Sequence, residues 1–525
     1  MKRRIGALGA ALLWVGACSV INSTEDLKPL DPASGADDTG GSSNGTNPTN
    51  TGGVNDAGTP GEQAGAGPII GAGGCGFECS DGGAPPIGRA CTLSGVDCGS
   101  SAPICDATAG ECRACKNDAE CHRELGVDFC LTSGAGAGRC VACKTSANCS
   151  GKIPVCNNVG VCRACASDDE CDSGVCEVTG ACAGPTELVY ALAETGISGD
   201  TCGTIDTPCR SLASAAKQLT ATRHTLVLLK TPKKFDAGAS FPAVKGLRVL
   251  GNGDAVHPYD GSTAFRIPAG SGVTFDNVVV EGSTGEDQVA IECTGGALNV
   301  VNSTIQENAS GIVATDCDLT VLQSLLKHNG PTAQFKTAGI FSTCTVEHCA
   351  KTTSFLRNRL LDNGVAIYVG GQASVEIVNN LFLRNGFENY TRVIELRADA
   401  VHFAYNTLVE NFNNGIYVGI VACNAGVCTA TANISFNNFP GHPEYQDQVW
   451  YGGTLTYNLT EVLYPGGTNK IGDPKFVDAA KGDYTPGPGS PAIDKGDPKD
   501  VPMFDIEGNK RPAGAGPDIG AFESQ

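Results

Sequence analysis

The 525-residue sequence has little of what helical bundles and nucleic-acid-binding proteins require. Methionine and tryptophan occur twice each, and aromatic residues make up 6% of the chain. There are 36 basic residues against 56 acidic ones, which gives a formal net charge of −20. Because nonspecific nucleic-acid binding depends on clustered Lys and Arg, this charge argues against nucleic-acid partners. After the N-terminus, no apolar run is long enough to span a bilayer.

Glycine is abundant instead, with 70 residues, about twice its average usage. This composition favours turn-rich β structure and linkers. The length predicts more than one folded unit. Shifts in composition divide the chain into a leader over 1–18, a linker over 19–74, a cysteine-rich segment over 75–184 and a long domain over 185–525. The last part of that domain, from about 470 to 525, is expected to be a C-terminal cap.

The N-terminus has the pattern of an export signal. Basic residues at positions 2–4 precede a short apolar stretch from Ile5 to Trp14, which ends in "VGAC" at Cys18. This ending resembles the lipobox of bacterial lipoproteins, which implies lipid attachment at Cys18; an ordinary secretory signal is the alternative. Ser19 follows, and by the sorting rule of enteric bacteria this implies a lipid anchor in the outer membrane, either periplasmic or exposed at the cell surface. The Gly-, Ser-, Thr- and Asn-rich residues 19–74 predict a flexible tether.

Cysteine dominates the next segment, which holds 18 of the 27 cysteines. Two of them, Cys75 and Cys79, form an extra pair. The other sixteen fall into four groups of four, and the groups are separated by CxxC motifs such as "CRAC". The groups are Cys91, Cys98, Cys105 and Cys112; Cys115, Cys121, Cys130 and Cys140; Cys143, Cys149, Cys156 and Cys162; and Cys165, Cys171, Cys176 and Cys182.

These groups predict small modules held by disulfides. Each module is too short for a hydrophobic core, and an exported protein forms disulfides readily. A zinc ribbon would need CxxC knuckles at two ends of one site, and a redox CxxC would need a βαβ neighbourhood, which the sequence lacks. Both alternatives are therefore weaker than a set of disulfides. The spacing over residues 91–182 resembles the Dickkopf N-terminal cysteine-rich module, which implies a small extracellular interaction or spacer module. The pairing within each group stays open among three possibilities.

The remaining eight cysteines lie beyond residue 185. Three pairs are close in sequence, and we expect each of them to form a disulfide that closes a local loop. Cys293 and Cys317 are 24 residues apart and are expected to join neighbouring turns of a repeat structure. The three local pairs are Cys202 with Cys209, Cys344 with Cys349, and Cys423 with Cys428.

The long domain contains a second internal repeat. Stretches such as "VVNSTIQENASG", "FLRNRLLDNG" and "IVNNLFLRNG" share an apolar–polar pattern with a basal period near 22 residues and one insertion. This period predicts the coil of a parallel β-helix with three short strands per turn. A first polar position recurs at Ser303, Ser324, Asn358, Asn380 and Asn406. A second polar position is expected to form a structural asparagine ladder at a corner of the coil, in the left-handed conformation. Its members are Asn308, Asn329, Asn363, Asn385 and Asn411.

Both ends of the domain add a resemblance. Residues 189–219 are similar to the N-terminal region of pectate-lyase-like proteins, with a capping helix expected over 208–219. The stretches "GDPKFVDAAKGDYTPGPGSPAIDKGD" and "DIEGNKRPAGAGPDIGAFE" resemble the C-terminal region of bacterial β-helix proteins of the choice-of-anchor Q type. The fold prediction is therefore all-β: a right-handed parallel β-helix preceded by a small disulfide-rich repeat domain and a disordered tether.

This fold hosts polysaccharide lyases and hydrolases, but a fold alone confers no activity. The catalytic series expected of a pectate lyase or a polygalacturonase is absent from the sequence. The weak catalytic candidates are ionisable residues, of which Arg357, Arg359 and His402 alternate with apolar neighbours. A solvated face of the β-helix is the favoured interpretation of all of them. They are Asp316, Asp318, Arg357, Arg359 and His402, with Asp362, Glu395 and Arg397 nearby.

Four aspartates near the C-terminus lie in Gly- and Pro-rich turns. Turn capping is the favoured interpretation, with a Ca²⁺ site as the alternative and no other cofactor expected. They are Asp494, Asp497, Asp505 and Asp518.

Taken together, these features predict a surface lipoprotein whose β-helix binds an extended polysaccharide or a surface protein without catalysis. A polysaccharide lyase or hydrolase with an unrecognised site and a purely structural surface protein are the alternatives.

Overall fold

The computed structural model describes residues 103–525, apart from residues 107, 110, 122–127, 134–136, 178, 232–233, 236–237, 259–261, 286–287, 331–337, 347, 387–392, 413–419, 425 and 440–448. The predicted lipid attachment site Cys18, the tether and the first four cysteines of the repeat segment lie outside the described residues. The chain divides into two compact units, Met1–Cys182 and Ala183–Gln525.

The first unit consists of small hairpins that follow one another along the chain. In the described part of this unit, six strands pair antiparallel as β1 with β2, β3 with β4 and β5 with β6. A short 3-10 turn precedes each of the last two strand pairs and the bridge between Cys176 and Cys182. The strands are β1 (Ile104–Asp106), β2 (Glu111–Arg113), β3 (Phe129–Cys130), β4 (Cys140–Val141), β5 (Val155–Cys156) and β6 (Cys162–Arg163); the 3-10 turns are Asp118–Glu120, Ser146–Asn148 and Asp168–Glu170.

Disulfides hold each hairpin to the turn before it. The structure selects one of the three possible pairings: the first cysteine of a module bonds to the third, and the second bonds to the fourth. The third and fourth cysteines lie opposite each other in the hairpin, as Cys130 and Cys140 do, so each strand has its own bridge to the preceding turn. The bonds are Cys115–Cys130, Cys121–Cys140, Cys143–Cys156, Cys149–Cys162, Cys165–Cys176 and Cys171–Cys182; Cys105 and Cys112 are also disulfide-bonded.

Each CxxC motif packs against the hairpin turn of the module that follows it, and we name this contact the packing seam between two modules. The backbone N–H of Cys143 donates to the carbonyl of Gly160, which precedes the last cysteine of the same module, at 3.2 Å. Gly160 has φ +77°, and a Cβ there would lie 2.4 Å from the Cβ of Val141 in the CxxC linker. Gly138 and Gly180 meet Ala114 and Ala164 in the same way. These glycines therefore let the linker pack against the hairpin turn.

An Arg–Glu pair closes two of these seams. The guanidinium of Arg113 donates to both carboxylate oxygens of Glu120 at 3.0 Å, and Arg163 pairs with Glu170 in the same way. Each carboxylate also accepts a backbone N–H at 2.7 Å. The hydrogen bond from the arginine, followed by the one from the backbone, lowers the pKa of both Glu120 and Glu170 to about 2.

The second unit is a parallel β-helix with three strand ladders, which we name sheets A, B and C. All ladder pairs are parallel, and the backbone of each coil bonds to the coil above and below it. Sheet A contains β7 (Leu188–Ala191), β8 (Thr225–Leu228), β10 (Leu247–Leu250), β13 (Gly272–Asp276), β16 (Ala297–Val301), β19 (Asp318–Leu322), β22 (Cys349–Leu356), the second halves of β24 (Val365–Val378) and β26 (Ile394–Ala404), β29 (Val427–Thr431) and β32 (Thr454–Thr456).

Sheets B and C complete each coil. The first halves of β24 and β26 belong to sheet C, so these two long strands run through the corner between sheets C and A. Sheet B contains β11 (Ala255–Val256), β14 (Val279–Glu281), β17 (Thr304–Gln306), β20 (Leu325–Lys327), β23 (Arg359–Leu361), β25 (Leu381–Leu383), β27 (Thr407–Val409), β30 (Ile434–Phe436), β33 (Leu459–Thr460) and β34 (Lys470–Ile471). The other strands of sheet C are β9 (Ala239–Ser240), β12 (Phe265–Ile267), β15 (Ile291–Thr294), β18 (Ile312–Thr315), β21 (Ala338–Thr343), β28 (Val421–Cys423) and β31 (Trp450–Tyr451).

Alternating side chains fill the interior. In β19, for example, Leu319 and Val321 are buried and their neighbours are partly exposed. Each fully buried aliphatic or aromatic side chain contributes about 1.5–3 kcal/mol relative to an exposed one. The disulfide Cys293–Cys317 joins two neighbouring coils within this core, and both cysteines are fully buried. The other disulfides of this unit are Cys202–Cys209, Cys344–Cys349 and Cys423–Cys428.

A short helix, α1 (Leu212–Lys217), packs against β7 and β9 at the N-terminal end of the β-helix. Ser211 caps it by accepting the N–H of Ser214 at 3.1 Å. The helix is shorter than the 208–219 range predicted from the sequence, because Pro208 and Cys209 are already engaged in backbone bonds to Ile197 and Tyr190.

Two ladders of buried polar side chains follow the corners of the coils. In the B–C corner ladder, the side-chain amide of Asn363 donates to Asn385 Oδ1 at 3.0 Å and to the carbonyl of Leu326 at 2.9 Å, while its own Oδ1 accepts the backbone and side-chain N–H groups of Asn329. The A–B corner ladder is Ser303, Ser324, Asn358, Asn380, Asn406, Asn433, Asn458 and Asn469; the B–C corner ladder is Asn308, Asn329, Asn363, Asn385, Asn411 and Asn438.

The predicted left-handed conformation of the ladder asparagines is wrong. Positive φ falls on the residue before each ladder position except Asn469, for example Asp362 at +54° before Asn363 and Arg384 at +51° before Asn385. The preceding residue turns the chain, and the asparagine that follows can then point its amide inward along the stack. A non-glycine residue in this conformation costs about 1 kcal/mol, which the amide bonds of the ladder offset.

The C-terminal segment, which we define as residues 473–525, covers the outer face of the later coils of sheet B. It contains the antiparallel pair β35 (Phe476–Asp478) and β36 (Asp483–Pro486). Outward apolar side chains of sheet B, such as Leu381, Leu383 and Val409, are buried against Ile506 and Phe522. The N–H of Ala521 also donates to Thr407 Oγ1 at 2.9 Å. The segment therefore completes a second core outside the β-helix.

A buried polar cluster fixes this segment. The Arg511 guanidinium donates to the carbonyls of Asp518 and Gly520 at 2.9 and 2.7 Å and lies 3.3 Å from the carboxylate of Glu523. Arg511 also lies over the ring of Tyr405, 4.9 Å from its centroid. Burial lowers the pKa of Arg511 and raises the pKa of Glu523, since both charged forms are taken out of water. The residues of the "GNKRPAGAGPDIGAFE" stretch thus have a structural role.

Candidate functional site

One outward row of sheet A has a polar side chain on every coil from β10 to β32, and we name this row the polar strip. Consecutive members are direct partners in the parallel ladder, so they recur at one strand spacing, about 4.8 Å. From end to end the nine positions span about 38 Å on that spacing. The members are Arg248, Thr274, Asn299, Thr320, Ser354, Glu376, His402, Thr429 and Thr454.

Strand alternation places these side chains outward. In β24 the neighbours Val375 and Ile377 are buried, whereas Glu376 between them is exposed. The next outward row of the same sheet contains small residues, among them Ala297, Ser374 and Ala400. The same row also contains Asp318 and Val427, so the strip is flanked by small side chains at some coils only.

The centre of the strip contains two ionisable groups, Glu376 and His402. Glu376 lies between Ser354 and His402 in the ladder, and the hydroxyl of Ser354 is 3.5 Å from Glu376 Oε2. His402 Nε2 contacts Asp500 Oδ2 at 2.6 Å, and Asp500 belongs to the C-terminal segment. Both side chains of this pair are partly open to solvent, 35% for His402 and 49% for Asp500. The centre thus offers a hydroxyl, an exposed carboxylate and an imidazole–carboxylate pair.

One border of the face is the loop between β21 and β22, closed by the disulfide Cys344–Cys349. Asp316 holds this loop by accepting the backbone N–H and the hydroxyl of Thr345, both at 2.8 Å. Asp318 accepts Lys351 Nζ at 2.9 Å and the N–H of Thr352 at 3.1 Å. Both predicted candidates therefore position this loop and strand.

The loop also reaches along the axis of the β-helix. Its His348 contacts the carboxylate of Asp399, two coils further on. Its Val346 side chain is 62% exposed.

The opposite border is the C-terminal segment over residues 497–507. The hydroxyl of Tyr405 donates to the carbonyl of Asp497 at 2.7 Å, and the side-chain amide of Asn379 donates to the carbonyl of Phe504 at 2.7 Å. Arg359 lies 3.4 Å from Glu507. The A–B corner is therefore covered along this stretch.

The two candidate arginines belong to this second border. Burial lowers the pKa of Arg357 and of Arg359, and the nearby carboxylate of Asp505 opposes that shift at both. Asp362, predicted to cluster with them, instead pairs with Arg384 at 2.8 and 3.1 Å around the next corner. The predicted Arg357, Arg359 and Asp362 cluster is thus distributed over two corners.

The ionisable candidates do not converge on one point. Asp316 and Asp318 lie at the start of the sheet A strand β19, and Arg357 follows the end of β22 on the next coil, at the other side of the face. Of the five candidates, His402 alone is a member of the strip. Glu395, also noted in the sequence, is 2% exposed on sheet C and accepts Arg397 Nε at 2.6 Å.

Sequence reasoning missed most of the strip, although a signal for it exists. Each of Asn299, Thr320, Ser354, Glu376, His402, Thr429 and Thr454 lies four residues before the A–B ladder residue of its coil. Four residues along an alternating strand and its corner always reach the same outward position. Asp500 has no such signal, because it comes from a segment 98 residues away.

The C-terminal aspartates act as turn caps in this structure. The carboxylate of Asp505 accepts the N–H groups of Glu507, Asn509 and Glu523 at 2.8–3.0 Å. Asp518 accepts the N–H groups of Asp494 and Ser524 at 2.8 and 2.7 Å. Asp494 accepts the N–H of Gly516 at 2.9 Å, and Asp497 that of Lys499 at 2.9 Å. These contacts agree with the turn-capping interpretation of the four aspartates.

The cysteine groups of the first unit contain three sulfurs close enough to hold a metal ion, as at Cys115, Cys121 and Cys130. All of these sulfurs form disulfides, and a disulfide sulfur lacks the thiolate that binds zinc. The CxxC motifs are therefore architectural.

One comparison with known protein families agrees with the fold. Residues 243–461 match the family model of the right handed beta helix region. No curated protein matches the chain in sequence. The crystal structure of pectate lyase Pel9A aligns over 65% of this chain and 97% of that chain, with 14% identity and a TM-score of 0.40. The second unit is a right-handed parallel β-helix. Within the described ranges, no helix is long and apolar enough to cross a membrane.

Proposed function

We propose that this chain is a lipid-anchored surface protein whose polar strip binds an extended polysaccharide without cleaving it. The strip is the observation that carries the proposal. It repeats hydroxyl, amide and carboxylate groups at one strand spacing along about 38 Å, and a polymer of similar repeat could meet one group per sugar residue.

Many weak contacts suit this kind of ligand. A single hydrogen bond exchanged with water contributes about 0.5–1.5 kcal/mol. The first contact already costs the polymer its translational freedom. Each further contact along the same polymer adds binding free energy without that cost, so a long row of weak contacts can hold a polymer that no single site would hold. The two borders, the 344–348 loop and residues 497–507, would keep the polymer on the face.

The binding-only form of the proposal is supported by the partners of the ionisable residues. General acid–base catalysis needs two groups placed at one bond of the substrate. Asp318 pairs with Lys351, Asp316 with the Thr345 amide and hydroxyl, and Arg359 with Glu507. These groups hold the borders in place.

The display part of the proposal rests on the sequence of the N-terminus. The lipobox-like ending at Cys18 would anchor the chain, and the linker over 19–74 would hold the folded units away from the membrane. A Cys18→Ala chain should leave the membrane fraction; its continued flotation with membranes would refute the anchor.

The binding proposal is tested with the purified full chain and a panel of soluble polysaccharides. Affinity electrophoresis measures binding, and release of new reducing ends measures cleavage. A bulky side chain in the strip, Thr320→Trp, should weaken binding at least tenfold. The matched control is Thr304→Trp, which changes an outward threonine of sheet B in the adjacent coil and should leave binding unchanged.

Equal effects of the two variants, or no binding by any polymer, would overturn the proposal. New reducing ends that disappear in Asp316→Asn or Arg357→Gln would replace it with the enzymatic alternative.

A further inference from the structure

The charge of the polar strip distinguishes between classes of polysaccharide. Glu376 is an exposed carboxylate at the centre of the face, and the described hydrogen-bond partner of its carboxylate is the neutral hydroxyl of Ser354 at 3.5 Å. A ligand that lies along the strip passes directly over this negative charge.

The basic groups around Glu376 already have carboxylate partners. Lys351 Nζ bonds to Asp318 at 2.9 Å, and His402 Nε2 contacts Asp500 at 2.6 Å. At the N-terminal end of the strip, Arg248 bonds to Asp276 at 2.7 Å. These pairs leave no net positive charge for a ligand carboxylate.

The basic groups at the two borders of the face also have acidic neighbours. His348 is paired with Asp399 on one side. On the other side the half-buried Arg357 has Asp505 as its electrostatic neighbour, and Lys499 lies between Asp497 and Asp500 in the sequence. The whole chain carries −20, so the long-range field also repels polyanions at low salt.

We propose that the polar strip selects neutral glycans and excludes polyuronates, an inference that rests on the proposed function. A carboxylate such as that of Glu376 accepts two hydroxyl groups of a vicinal diol, a pair that neutral sugars offer. A uronic acid offers the same diol but also places a second carboxylate beside Glu376. Two like charges a few ångströms apart repel each other in water and more strongly near a protein surface.

The test compares polymers that differ in charge alone. Each neutral polysaccharide of the panel is paired with its C6-oxidised form, in which the primary alcohol has become a carboxylate on the same backbone. The full chain should bind the neutral member at least tenfold more tightly at low salt. High salt should narrow this ratio, because it screens exposed charges.

Glu376→Gln removes the central charge and should reduce the ratio at least threefold while the neutral polymer stays bound. The matched control is Glu292→Gln, an outward glutamate of sheet C that lies 3.3 Å from Arg266, and it should leave the ratio unchanged.

Tighter or equal binding of the oxidised polymers would overturn this inference and leave the proposed function standing. Absence of binding by every neutral and oxidised polymer would overturn the proposed function itself. A ratio that Glu376→Gln and Glu292→Gln reduce equally would show that overall charge, and not the strip, selects the ligand.

Discussion

The two units of this protein are stabilised by different interactions. The modules of the first unit have short strands and small buried clusters made mainly of cysteine, such as Cys115, Cys121 and Cys130. The β-helix buries a continuous column of aliphatic and aromatic side chains across its coils. Covalent bonds replace the core in the first unit, whereas in the second the core and the amide ladders repeat with every coil.

A disulfide therefore contributes a different share of the stability in each unit. In a module, two disulfides close loops of 11–19 residues, and each contributes about 3 kcal/mol by restricting the unfolded chain. In the β-helix, Cys293–Cys317 adds to a core that is already large. A repeat structure with its own core tolerates the loss of a cross-link, and a module without one does not.

Reduction of the full chain gives the largest contrast. Under reductant, amide protection over residues 115–182 should fall to that of an unfolded chain, because the covalent restraints are lost. The β-helix should keep its protection and the fluorescence of Trp450, which packs edge-on against Phe403 in its core. Hydrogen exchange read by mass spectrometry measures both. Persistent protection of the reduced modules would mean that packing, and not covalent bonding, stabilises them.

Loss of one ladder amide should have the next largest effect. Asn363→Ala removes four side-chain hydrogen bonds and leaves the amide of Asn329 and the carbonyl of Leu326 without that partner. We expect the β-helix to lose about 3 kcal/mol of unfolding free energy, since unsatisfied buried polar groups cost about 1–3 kcal/mol each. The midpoint of urea unfolding, followed by Trp450 fluorescence, measures this loss.

The control for that change is Asn299→Ala on the outer face of sheet A, where the amide bonds to Thr274 Oγ1 at 3.1 Å. It should cost less than about 0.5 kcal/mol. Similar losses in the two variants would indicate that the buried ladder contributes no more than a surface contact.

The packing seam of the first unit gives a smaller effect. Gly160→Ala places a methyl group on Val141, whereas Gly151→Ala, in the same module, meets no atom within 4 Å. Both positions have positive φ, so both variants carry the same kind of backbone strain. We expect Gly160→Ala to cost about 2 kcal/mol more, from overpacking.

That difference should appear as about thirtyfold faster exchange of the Ala142 and Cys143 amides, which donate to the Gly160 carbonyl. Equal exchange in the two glycine variants would show that the seam between modules is loosely packed.

Much of the fold follows from local periodicity. The Asn363 and Asn385 positions recur at the coil period, so the pattern of three short strands per turn is visible in the sequence. The grouping of cysteines is visible for the same reason. The sequence pattern places the left-handed residue one position too late, because a pattern alone identifies a corner and not which of its residues turns the chain.

The candidate site was less accessible to sequence reasoning. His402 was recognised as an outward strand residue, but its partner Asp500 lies in a segment with no repeat. Arg357 and Arg359 looked like free surface groups, yet residues 505–507 cover them. A charged residue in a strand looks the same in the sequence whether or not a distant segment packs over it.

By itself the sequence determined the repeat periods, the alternation of inward and outward side chains, and the all-β character of the second unit, because each depends on residues close together in the chain. The tertiary structure alone decided which cysteines pair within each module, where the C-terminal segment packs and which part of sheet A stays open. Those outcomes depend on contacts between residues far apart, and such contacts leave no period in the sequence.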